Sequence, residues 1–210
     1  MSGISAQGST LSISSGTGAA KTITAITVGN PAIVTSTAHG LANGDVVTLA
    51  GIVGTMSSLN GSTRVVSNVT ANTFALLDAN TSALAYTSGG TATPQTFTRI
   101  NGVMSFSGLD GAPSELDTTD LDSTAMEYIA GLIDEGKFSF DVKILNTDAG
   151  QLALRAARAS SAIKTIKLVL PDAAVATFAV LVKSFPVAGA VNSVMKRTVD
   201  TKITGPVVWS

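Results

Sequence analysis

The sequence predicts a mainly β protein: a β-barrel or sandwich with one flanking α-helix, into which a smaller all-β unit is inserted. Three observations carry that prediction. Short runs alternate apolar and polar residues between Gly, Asn and Pro turn signals, the pattern of half-buried strands. The composition is 45% hydrophobic with 20 glycines and abundant Thr and Val, which favours pleated structure over helix. Charge is also unevenly spread, because within residues 22–94 only Asp45, Arg64 and Asp78 are charged.

The flanks of that charge-poor segment explain it. Residues 8–14 and 97–106 both alternate, so each reads as a strand, and together they are expected to pair as a hairpin. The segment between them replaces the turn, and a loop tip is where an insertion of about 70 residues is best tolerated. The expected scaffold is therefore residues 1–21 with 95–210, and the expected insert is residues 22–94. Gly16-Thr17-Gly18 and Gly89-Gly90 read as flexible stems between them.

Inside the insert, residues 22–28, 32–37, 46–49, 64–69 and 74–77 read as strands. Asn30-Pro31, His39-Gly40, Asn43-Gly44-Asp45, Asn60-Gly61 and Thr70-Ala71-Asn72-Thr73 supply the turns between them. Such spacing indicates a small barrel or sandwich. Residues 86–94 read as a last strand or a linker back to the scaffold.

Beyond the insert, residues 108–124 hold many Asp, Gly and Thr with little periodicity. They are expected to form a long loop, and loops beyond about 12–15 residues tend to be functional. Residues 137–144 alternate cleanly as a strand. Asp148 is placed to cap a helix over residues 148–158, with Arg155 and Arg158 near its C-terminal end complementing the dipole. Its predicted buried face is Ala149, Leu152 and Ala156, flanked by Ala153 and Leu154. Residues 163–170, 174–182 and 195–203 follow as strands.

The formal charge of −1 argues against tight binding of free nucleic acid, which needs clustered cations. Between Arg99 and Lys137 every charged residue is acidic, whereas Lys and Arg predominate from Lys137 onward. In a protein that stacks on copies of itself, such halves would steer association. The chain has no cysteine, so thiolate metal sites and disulfides are excluded. The start Met1-Ser2-Gly3-Ile4-Ser5-Ala6 has neither a basic nor an apolar run, and no signal peptide is expected. No stretch reaches the roughly 18 apolar residues of a membrane span. The Asn60, Asn68 and Asn80 sequons read as chance matches in a chain rich in Ser and Thr.

No enzyme constellation emerges. His39 is the only histidine, and alone it builds neither a zinc site nor a serine triad; it reads as a structural turn residue. Asp117-Thr118-Thr119-Asp120-Leu121-Asp122 lacks the Gly and the twelfth-position Glu of a calcium loop. No phosphate-cradling glycine motif is present. Glu115 and Glu127, with 5% aromatics to line a sugar cleft, make a poor glycosidase pair. No catalytic residue, cofactor or metal is expected.

An ordered series of segments carries a resemblance. Residues 116–132, Leu116-Asp117-Thr118-Thr119-Asp120-Leu121-Asp122 through Tyr128-Ile129-Ala130-Gly131-Leu132, resemble the long-loop segment of tail tube (major tail) proteins of long-tailed phages. Gly136-Lys137-Phe138-Ser139-Phe140, Asp148-Ala149-Gly150-Gln151, the segment from Phe185-Pro186-Val187 to Arg197-Thr198-Val199, and Thr204-Gly205-Pro206 continue it in order. The insert is similar to a small β-module of phage tail proteins through Thr37-Ala38-His39-Gly40-Leu41, Asn43-Gly44-Asp45-Val46-Val47, Leu59-Asn60-Gly61 and Val69-Thr70-Ala71-Asn72-Thr73-Phe74. Such modules are sometimes likened to a domain of ubiquitin-activating enzymes, whose chemistry is not carried over to a chain without cysteine.

The resemblance implies a structural virion protein of the tail, made in the bacterial host cytoplasm. It would assemble as hexameric rings stacked into a tube through which phage DNA passes without specific binding. Its partners would be itself and other tail proteins, such as tape measure, terminator and baseplate components, with no membrane. The long loop would reach between subunits and rings, so the expected contact residues are Asp110, Glu115, Asp117, Asp120 and Asp122, facing Lys196, Arg197 and Lys202 of a neighbour. The insert is expected on the tube exterior, which favours a non-contractile tail. The competing expectation is a host-surface or glycan-binding adhesin made of two β-domains.

Overall fold

The computed structural model describes residues 5–210; residues 1–4, on which the reading of the N-terminal start depends, lie outside the described residues. Strand β1 (Thr10–Thr17) leads into β2 (Lys21–Thr22), β3 (Ala25–Ile26), β4 (Ala32–Thr35), β5 (Val46–Ala50), β6 (Val53–Gly54), a 3-10 turn (Thr55–Leu59), β7 (Thr63–Ser67), β8 (Thr73–Leu76) and β9 (Tyr86–Ser88). Strand β10 (Thr91–Arg99) returns to β1. Four strands follow: β11 (Val103–Gly108), β12 (Ala112–Asp117), β13 (Tyr128–Asp134) and β14 (Lys137–Lys143). Helix α1 (Ala149–Ser160) precedes β15 (Ile163–Val169), β16 (Val175–Ser184), β17 (Val187–Ala188) and β18 (Lys196–Trp209). The protein is mainly β, with one α-helix among the described residues.

The expected hairpin between the flanks of the insert forms. β1 pairs antiparallel with β10, Ser12 opposite Arg99 and Thr17 opposite Gln95. The sheet then runs β11-β14-β18-β16-β15-β1-β10 and continues through β10 into β5-β7-β8-β4-β3. It does not close into a barrel. Alternation sets its inner face: Phe138, Phe140 and Val142 of β14 point inward, whereas Ser139 and Asp141 lie on the other side. Leu11, Ile13, Ile166, Phe178, Val180 and Val199 complete this first core.

A second core fills the insert, built on Ile23, Val34, Leu49, Met56, Phe74 and Leu76. Side-chain hydrogen bonds tie its turns. Asn72 accepts from the Ala38 N–H at 2.9 Å and Asn43 from the Val69 N–H at 3.0 Å. Asn60 bonds both backbone groups of Ile52 at 2.9 Å. His39 is a core residue, its Nδ1 accepting from the Leu41 N–H and its ring set edge-on to Phe74.

Three expectations require correction. The stems are tied into the ladder: Gly16 and Thr17 lie in β1 opposite Thr96 and Gln95, the Gly18 N–H donates to the Pro94 carbonyl, and Gly90 accepts from the Ile23 N–H. The way back to the scaffold is strand β10, whose Thr91–Pro94 stretch pairs with β5 and Gln95–Arg99 stretch with β1. The alternating run of residues 97–106 is broken by a turn at Asn101-Gly102, where Gly102 has φ +80°. The helix presents a different face. Gly150, Gln151, Leu154 and Ala157 are buried and Leu152 is 45% exposed.

The cause of that rotation is polar. Asp148 caps the helix by accepting from the Gln151 N–H at 2.9 Å, and its second oxygen accepts from Asn101 Nδ2 at 2.7 Å. Buried Gln151 donates to the Asn101 and Lys143 carbonyls and accepts from the Leu145 N–H. A Cβ at Gly150 would collide with the Arg99 carbonyl, so the glycine lets the helix sit against the end of β10.

Candidate assembly surface

The segment predicted as a loop is an extended hairpin. β12 and β13 pair antiparallel, Leu116 opposite Ile129 and Asp117 opposite Tyr128. They form a two-stranded sheet of their own, separate from the main one. The hairpin leaves the scaffold between Gly108 and Lys137, where β11 and β14 end their own pairing. Gly108 has φ +124°, and a side chain there would strike the Lys137 carbonyl, so the exit requires glycine.

Little of the hairpin is covered. Every residue of β12 is exposed, and all of β13 but Gly131. Leu116 and Ile129 share one face; Tyr128 shares the other with Glu115 and Asp117, and beyond the register shift Ile133, opposite Pro113, falls on that second face. Leu132 is 89% exposed and Leu121, at the tip, fully so. Contiguous exposed apolar residues of this size mark interaction surfaces, and a lone two-stranded ribbon gains little stability of its own.

The acidic candidates fall along this ribbon. Asp110 sits at its root, against Gly136. Glu115 and Asp117 lie on β12, Asp120 and Asp122 in the tip. Asp117 accepts from the Thr119 N–H at 2.9 Å, and hydrogen bonding to Thr119 holds its carboxyl below the usual carboxylate range. Asp120 accepts from the Asp122 N–H and the Ser123 hydroxyl. The tip is thus an ordered turn that displays its carboxylates.

The basic candidates are separated. Lys202 lies at the root of the hairpin and pairs within the same chain with Asp134, at 2.6 and 2.7 Å. That hydrogen bond, with the Gly136 N–H, lowers the pKa of Asp134. Lys196 and Arg197 begin β18, six residues away, or roughly 20 Å along a strand. There Lys196 pairs with Asp141 at 2.9 Å, and Arg197 stacks 4.7 Å above the Phe185 ring. Asp141 also accepts from Thr198 at 2.6 Å; the Thr198 bond, then Lys196, hold its carboxyl low.

What sequence reasoning missed is the apolar half of the surface. Tyr128-Ile129-Ala130-Gly131-Leu132-Ile133 is an unbroken apolar run, the signature of a strand covered on both faces. That signal was available beside the more conspicuous carboxylates. Among the described residues no group of three or more His, Asp or Glu is placed to hold a metal ion. No helix among them is long and apolar enough to cross a membrane.

Residues 79–175 match the family model of the lambda-like phage tail tube protein, and residues 29–95 match that of the FCCH domain of ubiquitin-activating enzyme E1. The tail tube match runs from the segment ahead of β9 to the first residue of β16, and the FCCH match covers most of the insert before it. The two matches overlap in residues 79–95, which include the half of β10 that pairs with β5. No curated protein matches the chain. Among solved structures, one chain from the tail of an empty GTA particle, refined with helical and C6 symmetry, is 18% identical with a TM-score of 0.47. The alignment covers 54% of this chain and 86% of that one. A chain of the six-fold symmetrised baseplate of the anti-feeding prophage is 9% identical with a TM-score of 0.45, covering 81% of this chain and 95% of that one.

Proposed function

We propose that this protein is a structural subunit of a phage tail tube, polymerising as stacked hexameric rings around a channel for DNA. The observation that carries the reading is the β12–β13 hairpin: ordered, tied at its root, apolar on both faces and uncovered by its own chain. Such a ribbon is stable when another copy buries it. The tail tube match over residues 79–175 spans the same hairpin. Residues 1–21 with 95–210 form the tube unit in this reading, and residues 22–94 form a module on the exterior of a non-contractile tail.

The contact residues are the hairpin carboxylates Asp110, Glu115, Asp117, Asp120 and Asp122, with cations of a neighbouring copy opposite. Other tail proteins would meet the ends of the tube. Negative-stain micrographs of the purified protein test the reading directly. Rings or tubes of uniform bore, with six-fold class averages, are the expected outcome; a monomer at high concentration would overturn it. Replacing residues 110–135 with a short Gly-Ser turn from β11 to β14 should abolish assembly while leaving the β signal in circular dichroism.

A further inference from the structure

We infer that the cleft between the inserted module and the scaffold binds a small organic monoanion, a carboxylate with a short apolar body, anchored by Arg64 and Thr177. None of the residues involved lies in the β12–β13 hairpin, so the site is independent of the tube reading.

The site begins on a face of the scaffold that alternation assigns to water. Ile13, Ile166 and Phe178 of β1, β15 and β16 belong to the first core, so their neighbours Ser14, Thr165 and Thr177 lie on the opposite side of the sheet. All three are nevertheless buried, and Thr177 is only 4% exposed. Val46, Arg64 and Val65 of β5 and β7 share a cleft of about 220 Å³ there with Thr177, Pro206 and Val208 of β16 and β18. A cleft between two packed units is a common place for a ligand. Ser14 answers the Thr165 N–H at 3.0 Å, but the Thr177 hydroxyl has no partner in the chain.

Arg64 gives the cleft its charge. It is the one charged residue in the lining, and among the described residues no carboxylate pairs with it. Its Nη1 donates to the Asp78 carbonyl at 3.2 Å, which holds the guanidinium by one corner. The side-on edge, Nε with Nη2, is uncommitted, and Nε is buried without a partner. That edge presents two parallel N–H groups that match the two oxygens of a carboxylate, the geometry of strong bidentate pairs. A buried donor without an acceptor carries the cost of its lost hydration, so an incoming carboxylate recovers what folding gave up. The Thr177 hydroxyl adds a further donor.

The lining also selects among anions. One cation balances one negative charge, which favours a carboxylate over a phosphate dianion. Val46, Val65, Pro206 and Val208 offer apolar surface to a few carbons. The volume is below the roughly 300 Å³ at which pockets for drug-sized ligands begin, so a short-chain acid of the size of butyrate is the fit. Both units contribute to the lining, so the ligand would link them, and binding to the folded state alone raises stability by mass action.

Sodium butyrate is the probe, titrated into the full chain against sodium chloride and sodium phosphate at equal ionic strength. The thermal midpoint should rise with butyrate and saturate, beyond any rise in the other two salts, and hydrogen exchange should slow in β7 and β16 together. Butyramide, the neutral analogue, should have no effect. Arg64→Lys keeps the charge without the fork and should weaken binding about tenfold or more. Thr177→Val should weaken it roughly two- to tenfold. The ligand-free midpoint of Thr177→Val should be unchanged or higher, since the variant removes a buried hydroxyl that has no partner. A midpoint that follows ionic strength alone, or butyrate affinity equal in Arg64→Lys and the wild type, would overturn the site. A stronger response to phosphate than to butyrate would overturn its assignment to a monoanion. Should Arg64→Lys fail to fold, Thr177→Val and butyramide decide alone, and neither result touches the tube reading.

Discussion

Strands β13 and β14 are separated only by Glu135 and Gly136 and are built on opposite rules. β14 reads Lys137-Phe138-Ser139-Phe140-Asp141-Val142-Lys143, and its apolar residues are buried while its polar ones are not. β13 reads Tyr128-Ile129-Ala130-Gly131-Leu132-Ile133-Asp134; it is more apolar, yet it is exposed nearly throughout. Alternation describes a strand with one face on its own core and one toward water. The lack of alternation in β13 describes a strand with no face assigned to its own core, and its own chain leaves it uncovered. The two patterns differ in what completes them: β14 is complete in one molecule, whereas β13 is left for the proposed neighbouring copies to complete.

Substitutions should break the comparison on the β14 side most strongly. Phe140→Ala removes a buried ring from the first core and should cost about 3–5 kcal/mol, seen as a large fall in the thermal midpoint of the unassembled protein. Leu154→Ala, at the fully buried helix position, should cost about 2–5 kcal/mol. Leu152→Ala, two residues away on the opposite side of the helix and 45% exposed, should stay within about 0.5 kcal/mol; equal midpoints for the two leucine variants would refute the helix orientation described above.

On the β13 side the outcome should invert. Ile129→Ser with Leu132→Ser should change the unfolding free energy of the unassembled chain by no more than about 0.5 kcal/mol, while sedimentation shows the loss of rings and tubes. A large loss of stability without assembly would mean that the hairpin packs on its own scaffold.

The smallest effect concerns the outer face of β14 and its neighbours. Asp200 accepts from Ser184 at 2.7 Å and Ser139 at 2.8 Å, and these bonds, Ser184 first, hold its carboxyl below the usual range. A carboxylate depressed in the folded state contributes stability that is present above the unfolded value, about 3.9, and lost as pH falls through the folded one. Thermal midpoints between pH 7 and pH 3 should therefore fall less steeply for Asp200→Asn than for the wild type. Parallel curves would remove Asp200 from the acid response.

Legibility in the sequence followed the same divide. Strands with one wet face declared themselves: the runs at residues 137–144, 163–170 and 174–182 became β14, β15 and β16. The pairing of β1 with β10 was legible from two alternating flanks around a charge-poor segment. The β12–β13 hairpin was not, since a bulge in β13 sets Gly131 and Leu132 against Ser114 and β13 has no period of two. The helix was legible in position and cap, but not in rotation. Buried Gln151 and the close approach at Gly150 set it, and neither a polar plug nor a steric fit shows up as hydrophobic periodicity. The carboxylates of the hairpin stand out in the sequence because charge is visible one residue at a time. The split of Lys196 and Arg197 from Lys202 needed the strand's length in space.

Strand β10 has a mechanical consequence. The module of residues 22–94 hangs on the scaffold by β1 and β10, which leave the sheet side by side at Thr17 and Gln95. A pull on the module along those strands loads the rungs from Thr10 to Ile13 against β15 together, in shear, whereas a sideways pull would open them one after another. The joint is thus stiff lengthwise and weak across, and its breaking force in single-molecule pulling should depend on the direction of load.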